Sequence, residues 1–116
     1  MLQISLDEAY VFDLLSIYQV KINNAKDEKL NQLQKTYDLL CNEIVDQIGQ
    51  DLFSKIISSI EYYELIKINQ IVFDLVDRAN ETQLSKLTAD ANYQRYIKKI
   101  ELQNEFFKNT ITEVKL

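Results

Sequence analysis

One glycine and no proline occur in 116 residues. These two residue types supply positive and fixed φ angles, so they punctuate turns and end helices. A chain almost without them is unsuited to many short strands joined by tight hairpins, whose favoured turns need glycine. Long helices with short polar connections remain. Apolar residues make up 47% of the chain, enough for one core in a single domain over residues 1–116.

The apolar spacing bears this out along the chain. Ser5-Leu6-Asp7-Glu8 has the spacing of a capping box and predicts a helix start. Leu6, Tyr10, Leu14, Ile17 and Tyr18 then recur at helical period, with Val11, Leu15 and Ile22 beside them. Asn23 to Asp27 reads as a connection. Leu30, Leu33, Tyr37, Leu40, Cys41, Ile44 and Ile48 predict a second helix of about five turns. Gly49 stands where a left-handed C-terminal cap belongs. Cys41 lies on the apolar stripe, as a core thiol does. Asp51 is placed to cap a short third helix holding Leu52, Phe53, Ile56 and Ile57. Ser58 with Glu61 repeats the capping-box spacing, so a bend is expected near Ser58 and Ser59.

A fourth helix to about Asn80 carries Leu65, Ile68, Val72, Leu75, Val76 and Ala79. Ile66, Ile71 and Phe73 make it apolar around most of its circumference, as in a central helix or one at an interface between copies. Residues 80–88 have turn character. The last helix is expected from about Ala89 to Ile111, with Tyr93, Ile97, Ile100, Phe107 and Ile111 facing inward. The fold class that follows is an all-α bundle of four long helices and one short one.

Composition removes many chemistries. There is no histidine, hence no commonest general base and no Glu-x-x-His pair of the helical di-iron bundles. Cys41 is the single cysteine, which leaves no internal disulfide and no Cys-rich zinc site. A lone thiol and an acid-interrupted first apolar stretch predict a cytoplasmic protein without a leader pattern. No apolar run reaches the ~20 residues needed to span a bilayer. Gly-rich phosphate loops and G-x-S-x-G are missing, and neither cofactor nor catalytic residue is assigned.

The net charge is −5, made of −7 over residues 1–83 and +2 over 84–116. Neither nucleic acid nor an anionic membrane is an expected partner. Arg95, Lys98 and Lys99 with Tyr93 and Tyr96 read as solvated bases beside core aromatics. One carboxylate pattern has the spacing of a metal site. All-α nucleoside triphosphate pyrophosphohydrolases hold magnesium with two acidic pairs at i, i+3, and oxygen ligands suit that ion. Glu61 with Glu64 and Asp74 with Asp77 have the spacing. Both pairs fall in the fourth helix, with Glu64 and Asp74 about 15 Å apart along its axis. They meet only if that helix breaks, and the apolar period from Leu65 to Leu75 opposes a break.

Polar residues that interrupt the stripes are more informative. Lys21 follows Ile17 by one turn, Asn69 sits in the most apolar helix, and Asp77 lies two turns beyond it. Asn92, Arg95, Lys99 and Gln103 recur at helical spacing. Buried polar groups must find partners. If these converge, Asp77 is the expected acceptor for Lys21 or Arg95. The network would fix helix register, or it would line a pocket for a small anion such as a nucleotide phosphate. The candidate ligand site is Lys21, Asn69, Asp77, Asn92, Arg95 and Lys99, with no metal residue assigned.

The same residues resemble a family of small helical bacterial proteins, a domain of unknown function. Its patterns match Asp13, Ile17, Val20 and Lys21, then Asn69, Phe73 and Asp77. Its Asn-x-x-Arg-x-x-x-Lys-x-Glu matches Asn92, Arg95, Lys99 and Glu101, and its final Glu-x-Lys matches Glu113 and Lys115. Tyr93 and Phe73 stand where that family carries an acidic residue and a tryptophan. The resemblance implies an all-helical fold and no particular activity. Together these readings favour a protein that binds or assembles, most simply as a homodimer. A small-anion site is the alternative, and a magnesium-dependent pyrophosphohydrolase comes third.

Overall fold

Helices α1 (Glu8–Asn23), α2 (Asp27–Ile48), α3 (Gln50–Ile57), α4 (Ile60–Asp77) and α5 (Thr82–Phe106) make up the regular structure of the described residues. They are seen in a computed structural model that describes residues 6–77 and 82–107, and the side chains of all of these except 77 and 82–85. The described residues contain no strand. The chain is therefore the all-α bundle, four long helices and one short, that its lack of turn formers implied.

The helix boundaries show what local sequence decides. α1 starts at Glu8, and Asp7 at its N-cap makes no side-chain capping bond; Ser5 lies outside the described residues. Gly49 is indispensable, but not as the left-handed cap expected. Its φ of 90° and ψ of 155° fall in a region that is essentially glycine-only. There its N–H donates to the Val45 carbonyl at 2.8 Å, closing α2, and its carbonyl accepts from Phe53 N–H at 3.1 Å, opening α3. α3 thus begins at Gln50 and not behind an Asp51 cap, because Gly49 serves both helices. A Cβ at Gly49 would meet nothing within 4 Å, so Gly49→Ala should cost about 1–3 kcal/mol from backbone strain alone. Urea unfolding checks this, and an unchanged midpoint would contradict it.

The bend near Ser58 and Ser59 is present. The cap is one residue later than expected: Ser59 Oγ accepts the Tyr62 N–H at 3.1 Å, while Ser58 Oγ donates back to the Ser54 carbonyl at 2.8 Å. α5 starts at Thr82 and not near Ala89. Its first turns hold Ser and Thr, which read as a turn, but also Gln83, Leu84, Lys86 and Leu87. No glycine or proline stops those helix formers. Ile111 lies outside the described residues.

α1, α4 and α5 pack against one another, α2 flanks α1, and α3 links α2 to α4. α1 runs antiparallel to α5, since Ala9 meets Gln103 and Asp13 meets Arg95. It runs parallel to α4, since Phe12 meets Tyr62 and Ser16 meets Asn69. Phe12 is the hub of the apolar core. Its ring lies 6.3 Å from Phe53, 6.2 Å from Tyr62 and 6.4 Å from Phe107, with Leu15, Ile44, Ile56, Leu65 and Leu102 around them.

Two inward faces differ from expectation. On α1 the buried residues are Ala9, Phe12, Asp13, Leu15, Ser16 and Val20, whereas Leu6, Tyr10 and Leu14 are exposed. α1 is apolar nearly all round, so period alone does not choose its face. The small Ala9 and Ser16 let neighbouring helices approach. On α5 the buried residues are Ala91, Lys99, Leu102 and Gln103, and Tyr93 is exposed. Of the polar row flanking the expected stripe, Lys99 and Gln103 face inward, while Asn92 is exposed. Cys41 packs on the core from α2, half-buried and not enclosed.

Candidate functional site: a polar core between three helices

Ala9, Asp13, Ser16 and Val20 occupy one buried face of α1, at i, i+4, i+7 and i+11. That face directs a carboxylate and a hydroxyl between α4 and α5. Ser16 Oγ donates to the Asp13 carbonyl at 2.6 Å and accepts from Asn69 Nδ2 at 2.7 Å. Asn69 Nδ2 also donates to Asp13 Oδ1 at 2.9 Å. Two acceptors on one side fix which end of the amide is nitrogen. Arg95 completes the knot: Nε donates to Oδ1 at 3.0 Å and to Oδ2 at 3.2 Å, and Nη2 to Oδ2 at 2.6 Å. The Asp13 side chain is 3% exposed and that of Arg95 26%. The carboxylate is enclosed, and its counter-charge lies at the rim.

A second knot lies along α5. Gln103 is fully buried; its Oε1 accepts the Ala9 N–H at 2.8 Å and its Nε2 donates to Glu8 Oε1 at 2.9 Å. The first N–H groups of a helix have no partner within it. Gln103 supplies one from across the bundle, where the N-cap Asp7 makes no side-chain capping bond. Glu8, the expected return arm of a capping box, is committed to the same contact. Lys99 is buried between the knots, its Nζ 5.7 Å from the Tyr10 ring centroid, a cation–π contact.

Among the six residues singled out from sequence, Asn69 and Arg95 meet on Asp13, and Lys99 lies one turn along α5. Lys21 and Asn92 are exposed; Lys21 Nζ sits 5.6 Å from the Tyr18 ring centroid. The Asp77 side chain lies outside the described residues. Arg95 donates to Asp13, an acceptor not among the six. The candidate ligand set left out Asp13 and Ser16, although Asp13 opens the family pattern matched above and a charge between Phe12 and Leu14 with a serine at i+3 was a further signal. α4 runs unbroken past both acidic pairs, so Glu64 and Asp74 stay about 15 Å apart along it, and Glu64 pairs with Lys98. Among the described residues no group of three or more His, Cys, Asp or Glu could hold a metal. No helix of the described residues is long and apolar enough to cross a membrane.

Where α2 meets α4, the Tyr62 hydroxyl is enclosed without a hydrogen bond of good geometry, although Tyr37 lies near enough to act on it. Burial raises its pKa. Burial, then Cys41, pushes Tyr37 up to about 12. Burial also raises the Cys41 thiol, Asp38 adds to this, and a hydrogen bond with Tyr37 opposes it. Raised values mean the folded state keeps phenolic protons that the unfolded chain releases near pH ~10. This contribution to stability is intact below that pH and is lost as pH rises towards about 12. The urea midpoint should therefore fall as the pH rises from about 10 to about 12, and Tyr62→Phe should flatten the fall while adding about 1 kcal/mol at pH 8. A wild-type midpoint independent of pH over that range would contradict the assignment.

Two surface depressions adjoin these elements. A cleft of about 270 Å³ opens beside Asn69 and Arg95, walled by Ile17, Val20, Val72, Phe73 and Val76. A shallow trough of about 420 Å³ between α4 and α5 is lined by Ile60, Tyr63, Lys67, Ile71, Gln94 and Lys98, among others. No protein-family model matches the chain, and neither a curated protein nor a solved structure shows significant similarity to it.

Proposed function

We propose that this protein works by binding and not by catalysis, as a helical bundle that pairs with a second copy of itself through the outward face of α4. The observation that carries this reading is the exposure of Ile60 at 71%, Tyr63 at 63% and Ile71 at 43% along one side of that helix. Glu64, Lys67 and Lys98 border them with both signs of charge, as a patch that meets its own copy across a two-fold axis requires. The 18 residues of α4 give a ridge about 27 Å long, a scale compatible with the ~800 Å² per partner of a stable interface. The polar core then acts as a register device, because its groups are engaged with one another. A small anion or nucleotide phosphate is the less favoured occupant, since Arg95 would have to release Asp13 to receive it.

Sedimentation equilibrium at micromolar concentration should give the dimer mass. Tyr63→Glu should weaken pairing at least ~10-fold, from one desolvated charge at the centre of the patch, and leave the helical circular dichroism unchanged. A wild-type chain that sediments only as monomer would remove this reading.

A further inference from the structure

We propose that the cleft beside Asn69 is a binding site for a small neutral molecule with an apolar ring and one N–H or O–H donor. Its floor is unusual. Asn69 is 4% exposed, and both its donated bonds go to α1. Among the described residues, its carbonyl oxygen accepts none. The Tyr62 hydroxyl is the one side-chain polar atom of the described residues that is both enclosed and unpartnered. The Asn69 side-chain oxygen is therefore not enclosed, and Asn69 lines the cleft. The Asp13 and Ser16 acceptors hold the amide nitrogen turned away, so the oxygen is pre-set to receive a donor.

The walls choose the rest of the ligand. Ile17, Val20, Val72 and Val76 are aliphatic and Phe73 is aromatic, so the body is apolar. The Arg95 charge at the rim is matched by Asp13 at 2.6 Å, so the head is neutral and not anionic. About 270 Å³ lies below the ~300–1,000 Å³ of drug-sized sites, so the occupant has one or two rings. Asn69, Val72, Phe73 and Val76 lie on the side of α4 opposite Ile60, Lys67 and Ile71. The site is thus distinct from the proposed pairing surface and does not depend on it.

Indole and 1-methylindole are suitable probes, since they differ in the one N–H. Methyl resonances of the full chain should shift saturably on titration with indole at Ile17, Val20, Val72 and Val76. Binding of 1-methylindole should be about fivefold weaker or worse, the worth of one hydrogen bond. Val72→Trp should fill the cleft and abolish the shifts. If that variant fails to fold, the two probes on the unaltered chain still decide. No saturable shift up to the solubility limit of indole would overturn the proposal and leave water as the partner of Asn69. Equal affinity for both probes would overturn the role of Asn69, and shifts confined to Ile60 and Ile71 would overturn the location.

Discussion

Replacing Arg95 with alanine will lower the unfolding free energy by about 3–5 kcal/mol, the cost of leaving a buried charge without its partner. The Asp13 side chain is 3% exposed, and once the guanidinium is gone only the Asn69 amide still donates to it from another helix. The reverse substitution is milder. Asp13→Ala leaves a guanidinium that is already 26% exposed and can turn to water, so about 2–3 kcal/mol is expected, mainly from Asn69 losing an acceptor. The inequality between the two variants is the test of which partner is enclosed. Arg95→Lys should not restore the wild-type value, because a single ammonium cannot reproduce the two-pronged contact with Oδ1 and Oδ2. Asp13→Leu combined with Arg95→Met should be less destabilised than Arg95→Ala, as apolar replacement of a whole buried pair often is. Urea unfolding measures all four, and an Arg95→Ala loss below about 1 kcal/mol, the range of an exposed pair, would contradict this account.

Phe12→Ala should be as damaging, by about 3–5 kcal/mol. Phe12 is 1% exposed and its ring approaches Phe53, Tyr62 and Phe107. Those neighbours come from α3, α4 and the turn after α5, so no single helix can move inward to close the gap. Total stability for a domain is only ~5–15 kcal/mol, and either variant should be partly unfolded at 37 °C. Phe12→Leu keeps most of the volume and should recover more than half of the loss. Near-equal midpoints for the alanine and leucine variants would show that the rings do not form one cluster.

The contrast between these two sites shows what was legible beforehand. The helices themselves were readable, because a chain with one glycine and no proline has few other options, and the bend at Ser59 and the need for Gly49 followed from side-chain chemistry. The inward face of α1 was not readable. Leu6, Tyr10 and Leu14 have the same period as Phe12, Leu15 and Val20, and only the approach of α4 and α5 selects between them. On α5 a hydrophobicity rule pointed the wrong way. Tyr93 looked like core and is exposed, while Lys99 and Gln103 looked like interruptions and are buried. Asn69 and Arg95 were recognisable as misplaced polar residues. Their common partner was not, because Asp13 is 56 and 82 positions away from them, and a single sequence contains no term that couples such distant positions.

The contact of Gln103 with Ala9 has a kinetic meaning. During synthesis α1 emerges first, yet the amide that caps its start belongs to a residue 94 positions later, and the arginine that balances its carboxylate to one 82 positions later. Closing loops of that length costs entropy before any contact repays it. The nascent α1 must therefore wait for α5 before that amide and that guanidinium reach it. The order in which the chain is made is thus the reverse of the order in which α1 becomes secure.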